Sequence, residues 1–450
     1  MKFSRKLLHG VVVAALVKFG SLPASGATSH PYDIVEQFAQ VLAVVEDSYV
    51  EPTAREKLGE GALIGMVGAL DPHSAYMPPE EYLSFREETS GQFAGIGVEV
   101  DLRNGQVVIV APIAGSPAER AGVIAGDRIA MVDGVPLDIL PLPDIVRRMR
   151  GTKGTTVHLV IRRKGHPAPM RFNIVRDDVR LPSIYVRTFD SQVAYLRITV
   201  FQEGTHTELL EKMGGLRRLG PYRGIILDLR QNPGGLVAES IAVADEFLPK
   251  GPLFFTRHRG KIIEQVDTTG YGNFERVPLV TIVDAGTASA AEILAGALKD
   301  RKRSVLVGDR TFGKGTVQSI IDLPGGAGLR LTSLRYYTPL GFGIQATGIQ
   351  PDQVTIASQD ISSELVRESD LPGHLPSDGH IGPPQSNLPR GVAPPDSTQH
   401  SDSTQPCEVS KPIITLLERI RQLPQVPNDS SDEVLASAYR SLLAQLSRSN

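Results

Sequence analysis

The chain has 450 residues, 41% hydrophobic and 22% charged, with 47 Lys and Arg against 50 Asp and Glu for a formal charge of −3. This is apolar mass for about two to four packed domains, and a near-neutral chain without Trp lacks the basic footprint of a general nucleic-acid binder. The single cysteine, Cys407, excludes an intramolecular disulfide framework and every multi-cysteine metal site.

The chain opens with Lys2, Arg5 and Lys6. A mostly apolar stretch over 7–17 follows, and Ala24-Ser25-Gly26-Ala27 offers small residues for cleavage. That layout predicts a signal peptide over 1–27, hence a periplasmic or secreted protein. No apolar run reaches the roughly 18 residues of a membrane span. In the helical segment 28–85, Val35, Phe38, Val41, Leu42 and Val45 recur at helical spacing. Thr53 and Glu56 then form a capping box ahead of Leu58, Leu63, Met66, Val67 and Leu70, a second amphipathic helix that Asp71-Pro72 ends. The pair reads as a packing or partner-binding module.

Over 86–175 the pattern changes to short strands at 97–102, 107–111, 128–132 and 156–162, interrupted by two helices, a small partly open barrel. Ser116-Pro117-Ala118-Glu119 starts one helix, and Ile145, Val146 and Met149 mark the other. Over 176–357 the buried-type runs 224–229 and 278–283 each feed a Gly-rich turn and a helix, and 304–307 is a further strand. This is α/β material with a central sheet. Residues 358–411, rich in Ser, Pro, Asp and Gln and without an aromatic, predict a disordered linker. Two closing helices over 412–450 carry Ile413, Leu416, Leu417 and Ile420, then Leu435, Tyr439, Leu442, Leu443 and Leu446. Together with the leading pair they offer a route to a homo-oligomer.

No His pair has H-x-x-x-H spacing and no acidic cluster has ligand spacing, so neither a metal nor another cofactor is expected. Residues 308–314 fit G-x-x-x-x-G-K, but Gly315 stands where a phosphate-binding loop needs Ser or Thr, and a strand rather than a helix follows. Ser289 is better placed. It opens a helix over 289–299 after a strand and tight turn, where the Ala290 N–H is unpaired and free to receive an oxyanion. Asn232-Pro233-Gly234-Gly235 is a turn able to supply a second donor, and Lys314 lies in the Gly-flanked turn Phe312-Gly313-Lys314-Gly315. A lysine deprotonates a serine only when neutral, and lysines with that task are tuned down to about 7–8 by burial. Taken singly, Ser289 with Glu292 is a capping box and Lys314 a solvated turn lysine; the Gly-Gly turn beside them favours a catalytic pair.

Two resemblances sharpen this reading. Phe93-Ala94-Gly95-Ile96-Gly97-Val98, Gly115-Ser116-Pro117-Ala118, Gly126-Asp127-Arg128-Ile129 and Val132-Asp133-Gly134 resemble a PDZ domain. That implies strand addition of a peptide whose carboxylate rests on Gly95, Ile96, Gly97 and Val98, with Arg150 sensing it. Residues 286–293, 311–318, 228–235 and Asp71-Pro72-His73-Ser74-Ala75-Tyr76 resemble the carboxyl-terminal processing proteases. This similarity spans about 31–355. It implies an α/β multi-domain protein with a ClpP/crotonase-like core, an inserted PDZ domain and flanking helical segments. By the same match Ser289 is nucleophile, Lys314 general base, Gln318 the holder of the lysine, and Gly234 or Gly235 with Ala290 the oxyanion hole. Ala291 departs from the second serine of many members, and Asp284 from a frequent Asn. Two function classes follow: a Ser–Lys endopeptidase acting on proteins with free C-termini, under a regulatory adaptor or its own PDZ domain, or an inactive PDZ scaffold tethering periplasmic proteins.

Overall fold

The computed structural model describes residues 32–90, 92–103, 105–113, 115–137, 140–190, 192–355, 366–382, 390–392 and 432–448. The expected signal peptide and the helix around Ile413–Ile420 fall outside them. The chain divides into two units, 1–62 and 63–450. In the first, helix α1 (Asp33–Ser48) is joined by an Arg55–Glu46 ion pair (2.6 Å) to the start of α2 (Arg55–Gly68), which continues into the second unit. Both helices follow the apolar spacing of the sequence.

The second unit starts with β1 (Ala75–Met77), α3 (Pro79–Ser90) and β2 (Gln92–Gly95). A small antiparallel domain follows: β3 (Val98–Arg103), β4 (Gln106–Pro112), α4 (Pro117–Arg120), β5 (Arg128–Val132), β6 (Val135–Pro136), α5 (Leu142–Met149), β7 (Thr156–Arg162) and β8 (Met170–Val175). Its strand order is β3-β4-β5-β7-β8, with β6 on β5. Alternation sets its core: Val157, Leu159 and Ile161 of β7 are buried while Thr156 and His158 are exposed. Ser116 caps α4 by accepting from the Glu119 N–H (3.2 Å). The chain then returns through β9 (Asp177–Arg180), antiparallel to β2, so the domain is entered and left by adjacent strands, the geometry of an insertion.

The larger domain contains β10 (Ile184–Phe189), β11 (Val193–Ile198), α6 (Thr205–Leu219), β12 (Gly224–Asp228), α7 (Val237–Phe247), β13 (Gly251–His258), β14 (Lys261–Thr268), β15 (Leu279–Val283), α8 (Ala290–Asp300), β16 (Val305–Gly308), β17 (Thr316–Asp322), β18 (Gly328–Tyr337), β19 (Gln353–Val354), β20 (Arg390–Val392) and α9 (Glu433–Arg448). The central sheet runs β10-β11-β12-β15-β16-β19, parallel from β11 onward. Burial on both faces explains why β12 and β15 read as unbroken apolar runs. A second sheet, β1-β18-β13-β14-β20 with β17 on β18, lies across α7 and α8. One core cluster joins Leu227 of the first sheet, Ile293 and Leu294 of α8, and Phe254 and Tyr336 of the second sheet.

The opposite face of the central sheet is covered by α9, whose Leu435, Tyr439 and Leu442 pack on Tyr195, Ile226, Val280 and Val307. Arg230, beside Asp228 (2.6 Å), pairs with Asp432 (2.9 Å) just ahead of that helix. Burial pushes the Asp228 carboxyl up, but Arg230 and Arg197 outweigh it and pull it down to about 2. The apolar stripe of α9 is therefore buried in its own chain, which corrects the expectation that this terminal helix builds an oligomer. The expected disordered linker also needs correction. Residues 366–382 pack on the core, with Glu368 fully buried and the Ile381 N–H bonded to the Gly341 carbonyl (3.0 Å), and β20 pairs with β14. Hydrogen bonds and ion pairs hold this polar stretch in place of the apolar burial it lacks. After Lys314 the chain enters β17, as the sequence predicts, so no phosphate-binding helix exists there. No helix among the described residues is long and apolar enough to cross a membrane.

Leu442 is fully buried against Gly224, where a Cβ would lie 3.0 Å from its side chain. Leu442→Ala should lower the unfolding free energy by about 2–5 kcal/mol in a denaturant titration; a loss below about 1 kcal/mol would show that α9 does not seal the sheet.

Candidate active site

Three neighbouring parallel strands, β12, β15 and β16, end on one side of the sheet, so the turns 229–236, 284–289 and 309–315 meet there. Ligand sites in open α/β sheets gather outside those carboxyl ends. Short hydrogen bonds lace the turns together. Thr287 Oγ1 donates to the Leu229 carbonyl (2.9 Å), the Ala288 N–H to the Asn232 carbonyl (2.9 Å) and the Phe312 N–H to the Thr287 carbonyl (3.0 Å). Asp284 braces the first two turns by accepting from the Gln231 N–H (2.9 Å) and Nε2 (2.7 Å).

Ser289 is the N-cap of α8 and fully buried, with φ 54° and ψ −120°. A non-glycine residue held there costs on the order of 1–3 kcal/mol. Its Oγ has no hydrogen-bond partner among the described residues. Only half of the expected capping box bears on the chain: the Ser289 N–H donates to Glu292 Oε2 (2.8 Å) while the hydroxyl stays free. The Ala290 N–H, first of the helix, likewise has no partner among the described residues. Gly234 packs against both; a Cβ there would lie 2.8 Å from Ser289 Cβ and 3.0 Å from the Ala290 nitrogen. The Gly234 N–H itself donates to Asn232 Oδ1 (2.9 Å), so of the expected oxyanion donors this one is already engaged. Gly235 follows at φ 124° with its α-carbon over the Phe201 carbonyl.

Lys314 is 1% exposed. It owes that position to its neighbours: Gly313 has φ 99°, and a Cβ on Gly315 would lie 2.2 Å from the Gln345 nitrogen. Burial penalises the charged form of an amine. Gln318 is fully buried in β17, but its Nε2 donates to Thr316 Oγ1 (2.9 Å) and Thr332 Oγ1 (3.3 Å), and its Oε1 has no partner among the described residues. In this conformation neither the Ser289 hydroxyl nor the Gln318 carbonyl is bonded to the lysine. Catalytic hydrogen bonds are commonly loose before substrate arrives.

Glu292, which the sequence presents only as half of a capping box, joins the turns of the two expected catalytic residues. Fully buried, it accepts four hydrogen bonds: Oε2 from the N–H groups of Ser289 (2.8 Å) and Lys314 (2.9 Å), Oε1 from Thr311 Oγ1 (2.5 Å) and the Gly313 N–H (2.8 Å). One oxygen thus ties the backbones of the two expected catalytic residues. Burial pushes its carboxyl up to about 7, a rise that the four hydrogen bonds hold back. Among the described residues no group of three His, Cys, Asp or Glu is placed to hold a metal.

In the small domain, the N–H groups of Ile96 and Gly97 have no partner among the described residues, whereas their carbonyls accept from the Ala118 N–H (2.8 Å) and Ser116 Oγ (2.9 Å). Gly97 has φ 72° and no room for a Cβ, which would meet Ser116 Cβ at 2.3 Å. Gly95 and Val98 flank this cradle on β2 and β3. Arg150, at the end of α5, lies over the Phe93 ring of β2 at 4.7 Å, and its buried Nε has no hydrogen-bond partner among the described residues.

Comparison with known proteins identifies the family. The model of peptidase family S41 matches residues 192–355, a PDZ model 108–163, and that of the activating protease CtpB N-terminal domain 21–81. A carboxy-terminal-processing protease of Bartonella bacilliformis is 36% identical over 372 residues, 80% of this chain and 85% of that protein. The carboxy-terminal processing protease CtpA of Bacillus subtilis is 35% identical over 350 residues, 77% of this chain and 75% of its own. Among solved structures, the photosystem II D1 C-terminal processing protease is 29% identical and covers 71% of this chain and 92% of its own, with a TM-score of 0.43. The chain belongs to peptidase family S41, the carboxyl-terminal processing proteases, and is a serine peptidase with a ClpP/crotonase-like core and a PDZ domain.

Proposed function

We propose that this peptidase receives the free C-terminal tail of a protein on its PDZ domain and hydrolyses it with Ser289 and Lys314. The observation that carries the reading is the junction at Glu292, which fixes a buried serine with an unengaged hydroxyl and a buried lysine to one carboxyl oxygen. The neutral Lys314 amine takes the Oγ proton as Ser289 attacks the scissile carbonyl. The resulting oxyanion faces the Ala290 N–H, reinforced by the positive end of α8. The ammonium then protonates the departing amine, and water, activated by the same lysine, releases the acyl group and restores the hydroxyl. Gln318 Oε1 is the acceptor that steadies the ammonium while it exists. Ala291 leaves Ser289 without a rival hydroxyl in the next turn. In the PDZ domain the Ile96 and Gly97 N–H groups take the carboxylate and Arg150 answers to its charge. The basic and apolar start of the chain supports a cell-envelope address.

Ser289→Ala should lower kcat against an unstructured protein substrate by at least about 10⁴-fold while leaving peptide binding intact. Lys314→Arg should be as damaging, because guanidinium does not release its proton; near-normal turnover in either variant would refute the pair. Amidating the C-terminus of a peptide ligand should weaken its binding to the full chain at least about tenfold, the loss of a charged hydrogen-bonded group. Equal affinity for acid and amide would remove the carboxylate cradle.

Glu292→Gln sets an amide NH₂ against N–H donors and should cost about 10–100-fold in kcat, the scale of a small displacement of catalytic groups. The same variant reports on stability. The folded carboxyl titrates near 7 rather than at its ordinary 4.5. Stability from this group is therefore full below about pH 4.5 and is lost as pH rises toward 7. Wild type should lose stability relative to Glu292→Gln across that window, measured as unfolding midpoints at pH 5 and 7.5.

A further inference from the structure

We propose that residues 366–371 form a strap over the active site, in which Glu368 is a positioning residue for the Lys314 turn. The inference rests on the Ser289–Lys314 reading. It concerns a segment beyond the 192–355 stretch that matches the family model.

Glu368 is fully buried, and its N–H and its Oε1 both lead to the turn that carries Lys314. Its N–H donates to the Phe312 carbonyl (3.2 Å). Its Oε1 accepts from Gln345 Nε2 (2.7 Å), and Gln345 Oε1 in turn accepts from the Gly315 N–H (3.0 Å). The residues two before and one after Lys314 are thus held from one carboxylate, directly and through one amide. Arg367 extends the hold upstream, donating to the carbonyls of Arg310 and Thr311 and pairing with Asp309 (2.8 Å). Glu292 holds the two positions between, Gly313 and Lys314, from the other side. The lysine turn therefore lies between two buried carboxyl groups, one from α8 and one from the strap.

The second oxygen of Glu368 reaches Gln318. Oε2 lies 2.7 Å from His73 Nε2. Next to His73, Asp71 Oδ1 accepts from the N–H groups of His73 (2.9 Å) and Ser74 (3.0 Å) and from Thr332 Oγ1 (3.0 Å). Thr332 Oγ1 is one of the two groups that hold Gln318 Nε2. The Asp71-Pro72-His73-Ser74 motif, which the catalytic chemistry leaves without a task, is the far anchor of this bracket. A buried carboxylate with a buried His and Gln as partners is costly unless each bond is made, so the strap has one low-energy seat. That seat sets where the amine of Lys314 points.

The test uses the full chain and measures kcat per active site, counted by titration with a fluorophosphonate, together with KM and the rate at which the probe labels Ser289. Glu368→Ala should lower kcat per site and the labelling rate about 10–100-fold, the penalty of a displacement near 1 Å, with KM within about twofold. Glu368→Gln keeps an acceptor for Gln345, and its NH₂ pairs with His73 once the ring takes the tautomer with an unprotonated Nε2, so it should restore most of that loss. A merely structural role would reduce the number of titratable sites and leave kcat per site unchanged, and that result overturns the proposal. If Glu368→Ala does not fold, Arg367→Ala, at the strap's edge, replaces it: a fall of at least about fivefold in kcat per site supports the strap, and an unchanged value overturns it. Ser289→Ala run alongside separates the two readings. If it still turns over and labels, the Ser–Lys assignment has failed; if it is dead while the strap variants match wild type, the strap alone has failed.

Discussion

A carboxylate with no access to water holds this site together. Glu292 receives the N–H of the expected nucleophile and the N–H of the expected base on one oxygen, so the two backbones are fixed relative to each other before any side chain moves. The arrangement depends on sheet order. Because β15 and β16 are neighbours, the turns that leave them lie within reach of a side chain from the first turn of α8. Had the strand order differed, the same residues would lie on separate edges. The fold supplies proximity, and Glu292 turns that proximity into a defined geometry.

The electrostatic consequence is a site that works against its own solvation. A lysine and two carboxyl groups, Glu292 and Glu368, sit at 0–1% exposure within a few residues' contact of one another. Burying a carboxyl group such as Glu292 disfavours its charged form unless hydrogen bonds compensate. For Glu292 four donors compensate incompletely, which is why its carboxyl stays near 7. For the proposed base the same dryness is what the reaction requires, since only an uncharged amine can take a proton from a serine. The glycines flanking it are what allow the chain to bury it: neither the conformation at Gly313 nor the contact of Gly315 with Gln345 tolerates a side chain.

Much of this was legible in the sequence wherever a residue's role is local. The apolar runs of β12 and β15, the helix beginning after Ser289 and the strand after Lys314 all follow from short-range patterns, and so does the small antiparallel domain. What escaped has no local signature. Glu292 reads as the second half of a capping box from sequence spacing, and nothing in that spacing reveals that its other partners lie 19 to 22 residues downstream. Gln318 was expected to hold the lysine from the family resemblance alone, and that its Nε2 is bonded to the hydroxyls of Thr316 and Thr332 has no signal in the local sequence. The stretch 366–382 looks too polar to fold because its order comes from hydrogen bonds to distant backbone rather than from apolar burial. The amphipathic stripe of α9 was visible, but an apolar stripe does not say whether it meets another copy or the open face of its own sheet.

The centre of the site also holds hydrogen-bonding capacity that the resting chain leaves unused. The Ser289 hydroxyl and the Ala290 N–H at the start of α8, and the Gln318 carbonyl oxygen in β17, are buried and have no partner among the described residues. A buried polar atom left unpaired costs about 1–3 kcal/mol, and native proteins carry few of them. Two of them adjoin at a serine held at an unfavourable φ, as expected of a site whose missing partner is the reacting group itself. In the mechanism proposed above, a scissile carbonyl supplies an acceptor for the Ala290 N–H, proton transfer gives Ser289 a destination for its hydrogen, and the ammonium so formed gives the Gln318 oxygen a donor. On that proposal each unsatisfied atom is answered by one event of the reaction, so the desolvation cost of the resting site is offset as the tetrahedral intermediate forms. Interactions made in the transition state but absent in the ground state are the ones that accelerate chemistry.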